Sequence, residues 1–368
     1  MKRLLAFSIV LFCTHINFGQ KVWTIQQAND WYAKQPLLIG CNYIPYNAIN
    51  ELEMWQAETF DPVRIDQELG WAESIGMNTL RVFLHDLLWQ DAEGFKKRLE
   101  QFLVICEKHH IRPLFVLFDS VWDPNPKLGK QRDPKPGIHN SGWVQSPGLA
   151  ALQDEKQHPR LEAYVKGVVG AFANDARVLG WDIWNEPDNL NGSSYTEPQT
   201  KLEWVRVLLP KAFAWVRAAG ATQPLTSGVW KIDYANYKGL SPIERIQVNE
   251  SDIISFHSYE KAPDFERSFS FLQQYKRPVI CTEYLARGNK STFEMILPIA
   301  KDKKIGMFNW GFVAGKTQPN LPWDSWQNPY INGRNPAVWH HEIFYSDGRP
   351  YKQEEVDFIR KITGVKLK

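Results

Sequence analysis

From residue 37 onward, short apolar runs alternate with longer amphipathic segments, and this alternation limits the fold more than any other feature of the chain. Short apolar runs are typical of buried strands, and longer amphipathic runs are typical of helices. The predicted strands are Leu38–Tyr43, Thr79–His85, Arg112–Asp119, Val178–Glu186, Pro224–Trp230, Asp252–Tyr259, Pro278–Tyr284 and Gly306–Phe312. The predicted helices are Asp61–Ile75, Phe95–His109, Leu161–Ala176, Lys201–Ala219, Ser241–Asn249, Phe265–Tyr275, Thr292–Lys304 and Glu354–Ile362, of which Ser241–Asn249 has the weakest pattern.

Eight strands that are each followed by a helical segment predict an α/β fold, a (β/α)₈ TIM barrel in a single domain. A doubly wound open sheet has the same alternation, so the number of strands is what favours the barrel. Two loops, 120–158 and 316–338, are unusually long, and loops of that length in a compact domain are usually functional. Both follow strands, so we expect them on the C-terminal face of the barrel.

The first 20 residues are typical of a secretory signal peptide. Lys2 and Arg3 precede an apolar run from Leu4 to Cys13 that is too short to span a bilayer as a helix. We expect residues 1–20 to be removed, residues 21–368 to form the barrel domain, and the protein to be secreted or periplasmic. A lipoprotein signal with Cys13 as the anchored residue is the alternative, and the bulky Phe12 before it disfavours that reading.

The charge balance excludes several classes of partner. The full chain has 43 Lys and Arg against 41 Asp and Glu, and losing Lys2 and Arg3 with the leader would leave the charges equal. An equal balance argues against nucleic acid or an anionic membrane as partner. No later segment is long and apolar enough to be a membrane span, and we expect a monomer.

Neither a disulfide framework nor a metal site is predicted. The cysteines after the leader are three in number, widely spaced and flanked by apolar residues, which predicts buried free thiols at Cys41, Cys106 and Cys281. The pairs His109-His110 and His340-His341 lack partners at metal-ligand spacing, so we expect solvated surface histidines. No metal or other cofactor is therefore expected.

Tryptophan is abundant, with 16 residues, and several lie in polar, proline-rich loops where a core does not explain them. Flat aromatic faces stack on the apolar C–H faces of sugar rings, so the excess indicates a carbohydrate ligand. Trp122 and Trp230, at the ends of the third and fifth predicted strands, are candidate sugar-binding residues.

Two glutamates end predicted strands that face each other across the barrel mouth. Glu186 ends the fourth strand in Trp-Asn-Glu-Pro, and Glu283 ends the seventh in Cys-Thr-Glu-Tyr. Taken alone, each glutamate is explained as well by a salt bridge or a helix cap as by a catalytic role. A facing pair is what retaining glycoside hydrolysis requires, with one proton donor and one nucleophile about 5 Å apart.

Three polar residues on neighbouring strands are expected around this pair. His257 and Tyr259 lie two apart on the sixth predicted strand, so both side chains point to one face, beside Glu283. Arg81 interrupts an apolar strand and needs an anion inside the barrel, either a catalytic carboxylate or a purely structural partner. Donors around a carboxylate would lower its pKa and keep it ionised, as a nucleophile must be.

Together these motifs resemble glycoside hydrolase family 5 and, more broadly, the clan A barrels. The resemblance rests on Asn185-Glu186-Pro187, His257-x-Tyr259, Glu283 and Trp310, in order along nearly the whole chain after the leader. It implies that Glu186 is the acid/base, that Glu283 is the nucleophile and that Asn185 binds the sugar 2-hydroxyl. With these roles we expect a raised pKa for Glu186 and a low one for Glu283.

The resemblance also implies that Arg81, His257 and Tyr259 position the nucleophile, and that Trp310 forms the floor under the sugar. The chain departs from the family at the end of the third strand, where many members carry a histidine and this chain reads Phe118-Asp119-Ser120. His85 or His139 could replace that histidine, or the pocket of this chain differs from that of those family members.

We therefore expect retaining hydrolysis of β-glycosidic bonds in plant-type poly- or oligosaccharides through a covalent glycosyl-enzyme. The substrate is open among mannan, glucan, xylan and galactoside. A transglycosylase using the same site and a non-catalytic sugar-binding barrel are the alternatives, although the second would be expected to lose a carboxylate. If the long loops fold inward they would convert a cleft into a pocket suited to chain ends, whereas in the plainer alternative their tryptophans only pin the loops to the barrel.

Overall fold

The computed structural model describes residues 21–231 and 239–365, so the leader predicted at 1–20 lies outside the described residues. Eight parallel strands form one sheet in the order β5-β4-β3-β2-β1-β8-β7-β6. The strands are Ile39–Asn42 (β1), Thr79–Phe83 (β2), Arg112–Asp119 (β3), Gly180–Asn185 (β4), Leu225–Thr226 (β5), Ile254–His257 (β6), Val279–Tyr284 (β7) and Gly306–Asn309 (β8). The predicted (β/α)₈ TIM barrel in one domain is confirmed.

The ring closes between β5 and β6 through backbone bonds of Val229 rather than through a ladder. Val229 N donates to Ser255 O at 3.1 Å, and His257 N donates to Val229 O at 3.0 Å. The fifth strand was predicted over Pro224–Trp230 but is only two residues long, because beyond Thr226 the ladder with β4 gives way to this bridge.

Helices cover the outside of the ring at each predicted position. They are Ile25–Ala33 (α1), Glu51–Trp55 (α2), Pro62–Ser74 (α3), Ala92–Lys108 (α4), Leu149–Leu152 (α5), His158–Phe172 (α6), Lys201–Ala218 (α7), Pro242–Glu250 (α8), Ala262–Leu272 (α9), Phe293–Lys303 (α10) and Gln353–Thr363 (α11). The weakly patterned α8 is real, and Ser241 starts it with a capping box to Glu244. The sequence analysis missed α1, although Thr24 and Gln27 form the same kind of capping box there.

Alternate residues of each strand pack on opposite sides of the ring. Phe115 and Leu117 of β3 belong to the large core between strands and helices, whereas Leu114 packs inside the barrel with Ile280 and Phe308. At the opposite end of β3, Val116 packs with the aromatic residues of the barrel mouth. The barrel interior therefore has an apolar layer formed by Leu114, Ile280 and Phe308, and the polar side chains of Arg81 and Asp182 lie between the strands' two ends.

The two long loops are joined to each other above the C-terminal face. Asn140 N donates to Thr317 O at 2.7 Å, and Tyr330 N donates to Gly137 O at 2.9 Å. Trp122 stacks on Trp326 with ring centroids 5.2 Å apart and planes 13° from parallel. The loops thus form one wall along one side of the barrel mouth, which is the placement that the sequence predicts.

Several smaller predictions are also decided by the structure. Cys41, Cys106 and Cys281 are buried free thiols, as predicted. In the described part of the chain no helix has the length and apolar character needed to cross a membrane.

The prediction of solvated histidine pairs is wrong for three of the four residues. His340 and His341 are buried among aromatic side chains, and Trp339 before them and Ile343-Phe344 after them are an apolar context that could have indicated this. His109 is buried between the carboxylates of Asp66 and Glu73, so of the four only His110 is exposed.

Candidate active site

The mouth of the barrel brings the two predicted glutamates together. Glu186 directly follows β4 and Glu283 lies near the end of β7, and both are buried. A carboxylate oxygen of each lies within 4.8 Å of the other. This agrees with the separation of about 5 Å that the sequence analysis expects and that retaining hydrolysis requires.

Arg81 of β2 lies under the pair, fully buried, and links it to the barrel interior. Its Nη1 donates to Glu283 Oε1 at 2.8 Å and to Asn42 Oδ1 at 2.9 Å. Its Nε donates to Asp182 Oδ2 at 2.9 Å, and its Nη2 donates to Asn185 Oδ1 at 2.8 Å. The predicted anion for this arginine is therefore both a catalytic candidate and a structural partner, and one guanidinium charge is shared by two carboxylates.

Tyr259 and His257 reach the carboxylates from the end of β6. Tyr259 Oη donates to Glu283 Oε2 at 2.6 Å. His257 Nδ1 lies 2.9 Å from Glu186 Oε1 and 3.5 Å from Glu283 Oε2, so the histidine bridges the pair instead of contacting Glu283 alone, as was expected. The β6–β7 register shifts at Phe256/His257, and bulges of this kind re-aim side chains at strand ends.

Glu186 has a different environment, with no cation in direct contact. Asn189 Nδ2 donates to Glu186 Oε2 at 2.7 Å. The backbone of Glu186 has φ +43°, a left-handed conformation that is costly for a residue with a side chain and that is often found at functional sites. Burial, partly offset by the Asn189 hydrogen bond, raises the pKa of Glu186 to about 7, which agrees with the raised value expected.

The low pKa expected for Glu283 is not found in the unliganded protein. Burial raises the pKa of Glu283, while His257, Arg81 and the Tyr259 hydroxyl act in the opposite direction. The neighbouring Glu186 carboxylate adds to the increase. Arg81 also pairs with the buried Asp182. Glu283 nevertheless accepts a direct hydrogen bond from a guanidinium, whereas the direct partner of Glu186 at its Oε2 is a neutral amide. Burial lowers the pKa of His257 to about 4, which leaves that imidazole neutral at pH 7.

A cavity of about 1100 Å³ opens over both carboxylates. Trp310, directly after β8, lines it and rests edge-on against Phe83 and Trp143, with ring centroids 5.9 Å apart in each case. The other sequence-predicted residues that line the cavity are Asn185, His257, Tyr259, Trp122, Trp230 and His139. Apolar aromatic faces with a few fixed polar groups are what a sugar site needs.

His85 does not line this cavity, so its position gives no support to the prediction that it binds substrate. It is fully buried, and its Nδ1 accepts the backbone N–H of Leu87 at 3.1 Å, at the start of the 3₁₀ helix Asp86–Asp91. His139, the alternative, lies in the wall of the cavity. Trp230 is held by a 2.6 Å bond from its Nε1 to Asp188 Oδ1.

The tryptophans of the loops divide into two groups. Trp122 and Trp323 line the cavity, as one expectation had it. Trp143 instead donates its Nε1 to Asp119 Oδ2 at 2.7 Å, and Trp326 stacks behind Trp122. The second pair pins the loops to the barrel, whereas a pocket suited to chain ends stays a prediction.

Sequence reasoning missed three polar residues that hold the site. Asp119 accepts bonds from Asn185 Nδ2 at 2.9 Å and from Trp143, and burial raises the pKa of Asp119 to about 7. The buried Lys201 donates to Asn189 O at 2.8 Å and so fixes the loop that carries Asn189. Asp119 could have been found from its place at the end of β3, whereas no pattern in the sequence identifies Asn189 or Lys201.

The two glutamates and His257 lie at the distances of a possible cation site. Within residues 21–231 and 239–365, Glu186, His257 and Glu283 are the one group of acid, histidine or cysteine side chains placed closely enough to hold a metal ion. Both Glu283 oxygens already accept hydrogen bonds, one of them from Arg81. A guanidinium in direct contact disfavours a second cation, so the donor set fits a hydrogen-bonded carboxylate pair better than a metal site.

Comparison with known proteins gives one family and one fold. The family model described as Cellulase (glycosyl hydrolase family 5) matches residues 137–328, just over half of the chain, including Glu186, Glu283 and Trp310. No curated protein sequence matches the chain significantly.

Three solved structures of similar fold are distant from this chain in sequence. A GH5_18 variant from Streptomyces cattleya in complex with Manβ1-4GlcNAc has a TM-score of 0.59 and 11% identity, with 89% of this chain and 80% of that chain covered. The endo-β-1,4-mannanase from Thermotoga petrophila has a TM-score of 0.56 and 14% identity, with 91% and 77% covered. An exo-β-1,4-mannosidase from Opitutaceae bacterium strain TAV5 has a TM-score of 0.54 and 20% identity; 89% of this chain is covered, but only 59% of that chain.

Proposed function

Because this chain belongs to glycosyl hydrolase family 5, we propose that it hydrolyses β-mannosidic bonds at the ends of short oligosaccharides through a covalent glycosyl-enzyme. The chain is a glycoside hydrolase; the substrate, the covalent step and the roles of individual residues are the content of the proposal. The observation that carries it is the facing pair of carboxylates, of which one oxygen of Glu186 and one of Glu283 lie within 4.8 Å of each other. Inverting enzymes keep their carboxyl groups roughly 6.5–9.5 Å apart to admit a water molecule.

The surroundings of each carboxylate support one role for each. Glu283 accepts bonds from Arg81 and Tyr259, which favour an ionised nucleophile. Glu186, with a pKa of about 7, is protonated at mildly acidic pH and is suited to general acid catalysis.

The proposed reaction has two steps. In the first, Glu283 forms a bond to the anomeric carbon as the bond to the leaving oxygen breaks, and Glu186 gives its proton to that oxygen. In the second, Glu186 takes a proton from water, the water oxygen attacks the same carbon, and Glu283 leaves as a carboxylate. Asn185, held by Arg81 and Asp119, is placed to bind a hydroxyl of the sugar, and Trp310 is placed to stack under the ring.

Two observations support a β-mannoside chain end as the substrate. The structures of similar fold reported above are described as an endo-β-1,4-mannanase, an exo-β-1,4-mannosidase and a complex with Manβ1-4GlcNAc. The joined loops carry Trp122 and Trp323 into the cavity wall, which favours a pocket over a cleft open at both ends. Glucan, xylan and galactoside are the competing substrates.

The mechanism is tested with the purified protein and a panel of 4-nitrophenyl β-glycosides, namely the mannoside, glucoside, xyloside and galactoside. We expect the mannoside to be cleaved fastest and proton NMR to show the β-anomer of mannose as first product. A 2-deoxy-2-fluoro mannoside with a good leaving group should label Glu283, located by peptide mass spectrometry. Initial formation of the α-anomer, or labelling of another residue, would contradict the covalent mechanism.

Action at chain ends is tested separately on a soluble β-mannan. Mannose or mannobiose should appear first while the viscosity of the solution falls slowly. Early fragments of mixed length with a rapid loss of viscosity would mean an open cleft and would remove the pocket from the proposal.

We also propose export, with residues 1–20 removed and the enzyme acting as a monomer outside the cytoplasm. The support is the charged and apolar pattern of Lys2–Cys13. Mass spectrometry of the native protein should find an N-terminus near Gln20 or Lys21. An intact Met1 would contradict the proposal.

A further inference from the structure

His139 is held rigidly in the cavity wall by groups from the other long loop. Its backbone N–H donates to Ser325 Oγ at 3.1 Å, and its Nδ1 lies 2.8 Å from Leu321 O. The imidazole lies between the rings of Trp122 and Trp323, with centroids at 5.9 and 6.5 Å. Neither ring rotation nor a shift of one loop alone can occur without breaking these contacts.

The bond to Leu321 fixes which nitrogen carries the proton. A backbone carbonyl can only accept, so Nδ1 must be the donor. Burial lowers the pKa of His139 to about 3, so the ring stays neutral across the working range of pH. A neutral imidazole with its proton on Nδ1 leaves Nε2 as a bare acceptor.

This acceptor has no donor among the described residues. His139 is a buried residue of the cavity lining. A fixed, neutral acceptor on a residue that lines a sugar-sized cavity has the properties that hydroxyl recognition needs.

We propose that His139 is a specificity-determining residue whose Nε2 accepts a hydrogen bond from one hydroxyl of the bound sugar. The inference rests on the proposed glycosidase function and adds a contact to it. A wall that merely excluded water would need neither the fixed tautomer nor the free acceptor.

Two substitutions separate the acceptor from the bond that pins the loop. In His139→Asn the side-chain amide can still donate to Leu321 O from the position of Nδ1, but the acceptor is lost. In His139→Gln an amide oxygen can reach the position of Nε2, but the donor to Leu321 is lost. A recognition role predicts that His139→Asn is the more damaged in kcat/KM, and a purely structural role predicts the reverse order.

The contact is located with monodeoxy analogues of the 4-nitrophenyl β-glycoside that the wild type cleaves fastest. Removing one particular hydroxyl should lower wild-type kcat/KM by up to about tenfold, the value of one hydrogen bond. The same removal should have no further effect in His139→Asn, because the two changes delete the same contact. Thermal unfolding of both variants shows whether the fold is kept.

The outcomes distinguish a failure of the proposed His139 contact from a failure of the proposed glycosidase function. The inference is overturned if, at every hydroxyl position, the loss of kcat/KM from removing the hydroxyl is the same in His139→Asn as in the wild type. It is also overturned if His139→Gln has the lower kcat/KM of the two variants, because His139 is then only a structural residue. If the wild type cleaves no β-glycoside, the proposed function fails and this inference fails with it.

Discussion

Glu186 and Glu283 are chemically identical side chains a few ångströms apart, yet their partners differ in kind. Glu283 is bonded to a guanidinium and a phenol hydroxyl, from Arg81 and Tyr259. Glu186 is bonded to an amide, that of Asn189, and faces a neutral imidazole, that of His257. Strand ends therefore determine where each carboxylate lies, whereas its neighbours determine which protonation state is favoured.

The largest expected effect is on kcat, and its dependence on the leaving group of the substrate should distinguish the roles of the two carboxylates. Glu283→Gln removes the nucleophile and should lower kcat by at least about 10⁴-fold on every substrate. Glu186→Gln should lower kcat by about 10²–10⁴-fold on a disaccharide, where the leaving oxygen needs a proton. On a 2,4-dinitrophenyl glycoside, whose leaving group departs as an anion, bond cleavage should be nearly normal, measured as a pre-steady-state burst.

Circular dichroism and thermal unfolding of both variants serve as the control for folding. Equal losses for Glu186→Gln on the two substrates would contradict its role as the acid. Appreciable turnover by Glu283→Gln would remove Glu283 from the role of nucleophile.

The sequence was sufficient to place this pair because strand periodicity and strand order are local and repeated signals. The bounds predicted for β3 are those observed, and Glu186 and Glu283 lie at the ends of β4 and β7 as predicted. The sharing of Arg81 between Glu283 and Asp182 was beyond prediction, because it depends on how the sheet twists and shears. The low pKa expected for Glu283 was wrong because burial raises that pKa, as does the nearby Glu186 carboxylate.

The conformation of the two long loops is the second feature that the sequence could not predict. Their length and tryptophan content indicated function, but the sequence could not say which aromatic residue would face the cavity. That division depends on hydrogen bonds between loops about 180 residues apart, such as the one from His139 to Leu321. Such long-range pairing has no periodic signature in the chain.

The second prediction concerns Arg81→Lys, a substitution that alters the hydrogen bonds to Glu283 and not those to Glu186. Arg81→Lys keeps one positive charge but cannot reproduce a fork that reaches Glu283, Asp182 and Asn185 together. We expect kcat to fall by about 10²–10³-fold, comparable to the loss of a preorganised donor, with a small effect on the alkaline limb of the pH profile. The measurement is kcat/KM against pH on the 4-nitrophenyl substrate.

Stability must be followed in that variant, because the buried Asp182 depends on the guanidinium. Arg81→Met would leave two buried carboxylates without a cation and should cost roughly 3–5 kcal/mol of folding free energy. If Arg81→Lys retains wild-type kcat while it is folded, Arg81 is a structural residue only.

The smallest effect is expected on the Glu186 side, at Asn189. The amide of Asn189 donates to Glu186 Oε2 and favours the ionised form, so its removal should raise the pKa of Glu186 above about 7. Activity requires protonated Glu186 and is lost as pH rises through this pKa. Asn189→Ala should therefore move the alkaline limb of kcat/KM upward, by up to about one pH unit for the loss of one hydrogen bond.

Asn289 provides the matched control, because it lines the same cavity, while the hydrogen bonds of the Glu186 carboxylate are made with Asn189 and His257. Asn289→Ala should leave the alkaline limb where it is, whatever its effect on KM. The acidic limb belongs to Glu283 and should stay in place in both variants, because Asn189 donates to Glu186 and not to Glu283. A downward shift of the alkaline limb in Asn189→Ala would mean that the amide stabilises the protonated acid, and the contrast between the two carboxylates would then rest on burial and Arg81 alone.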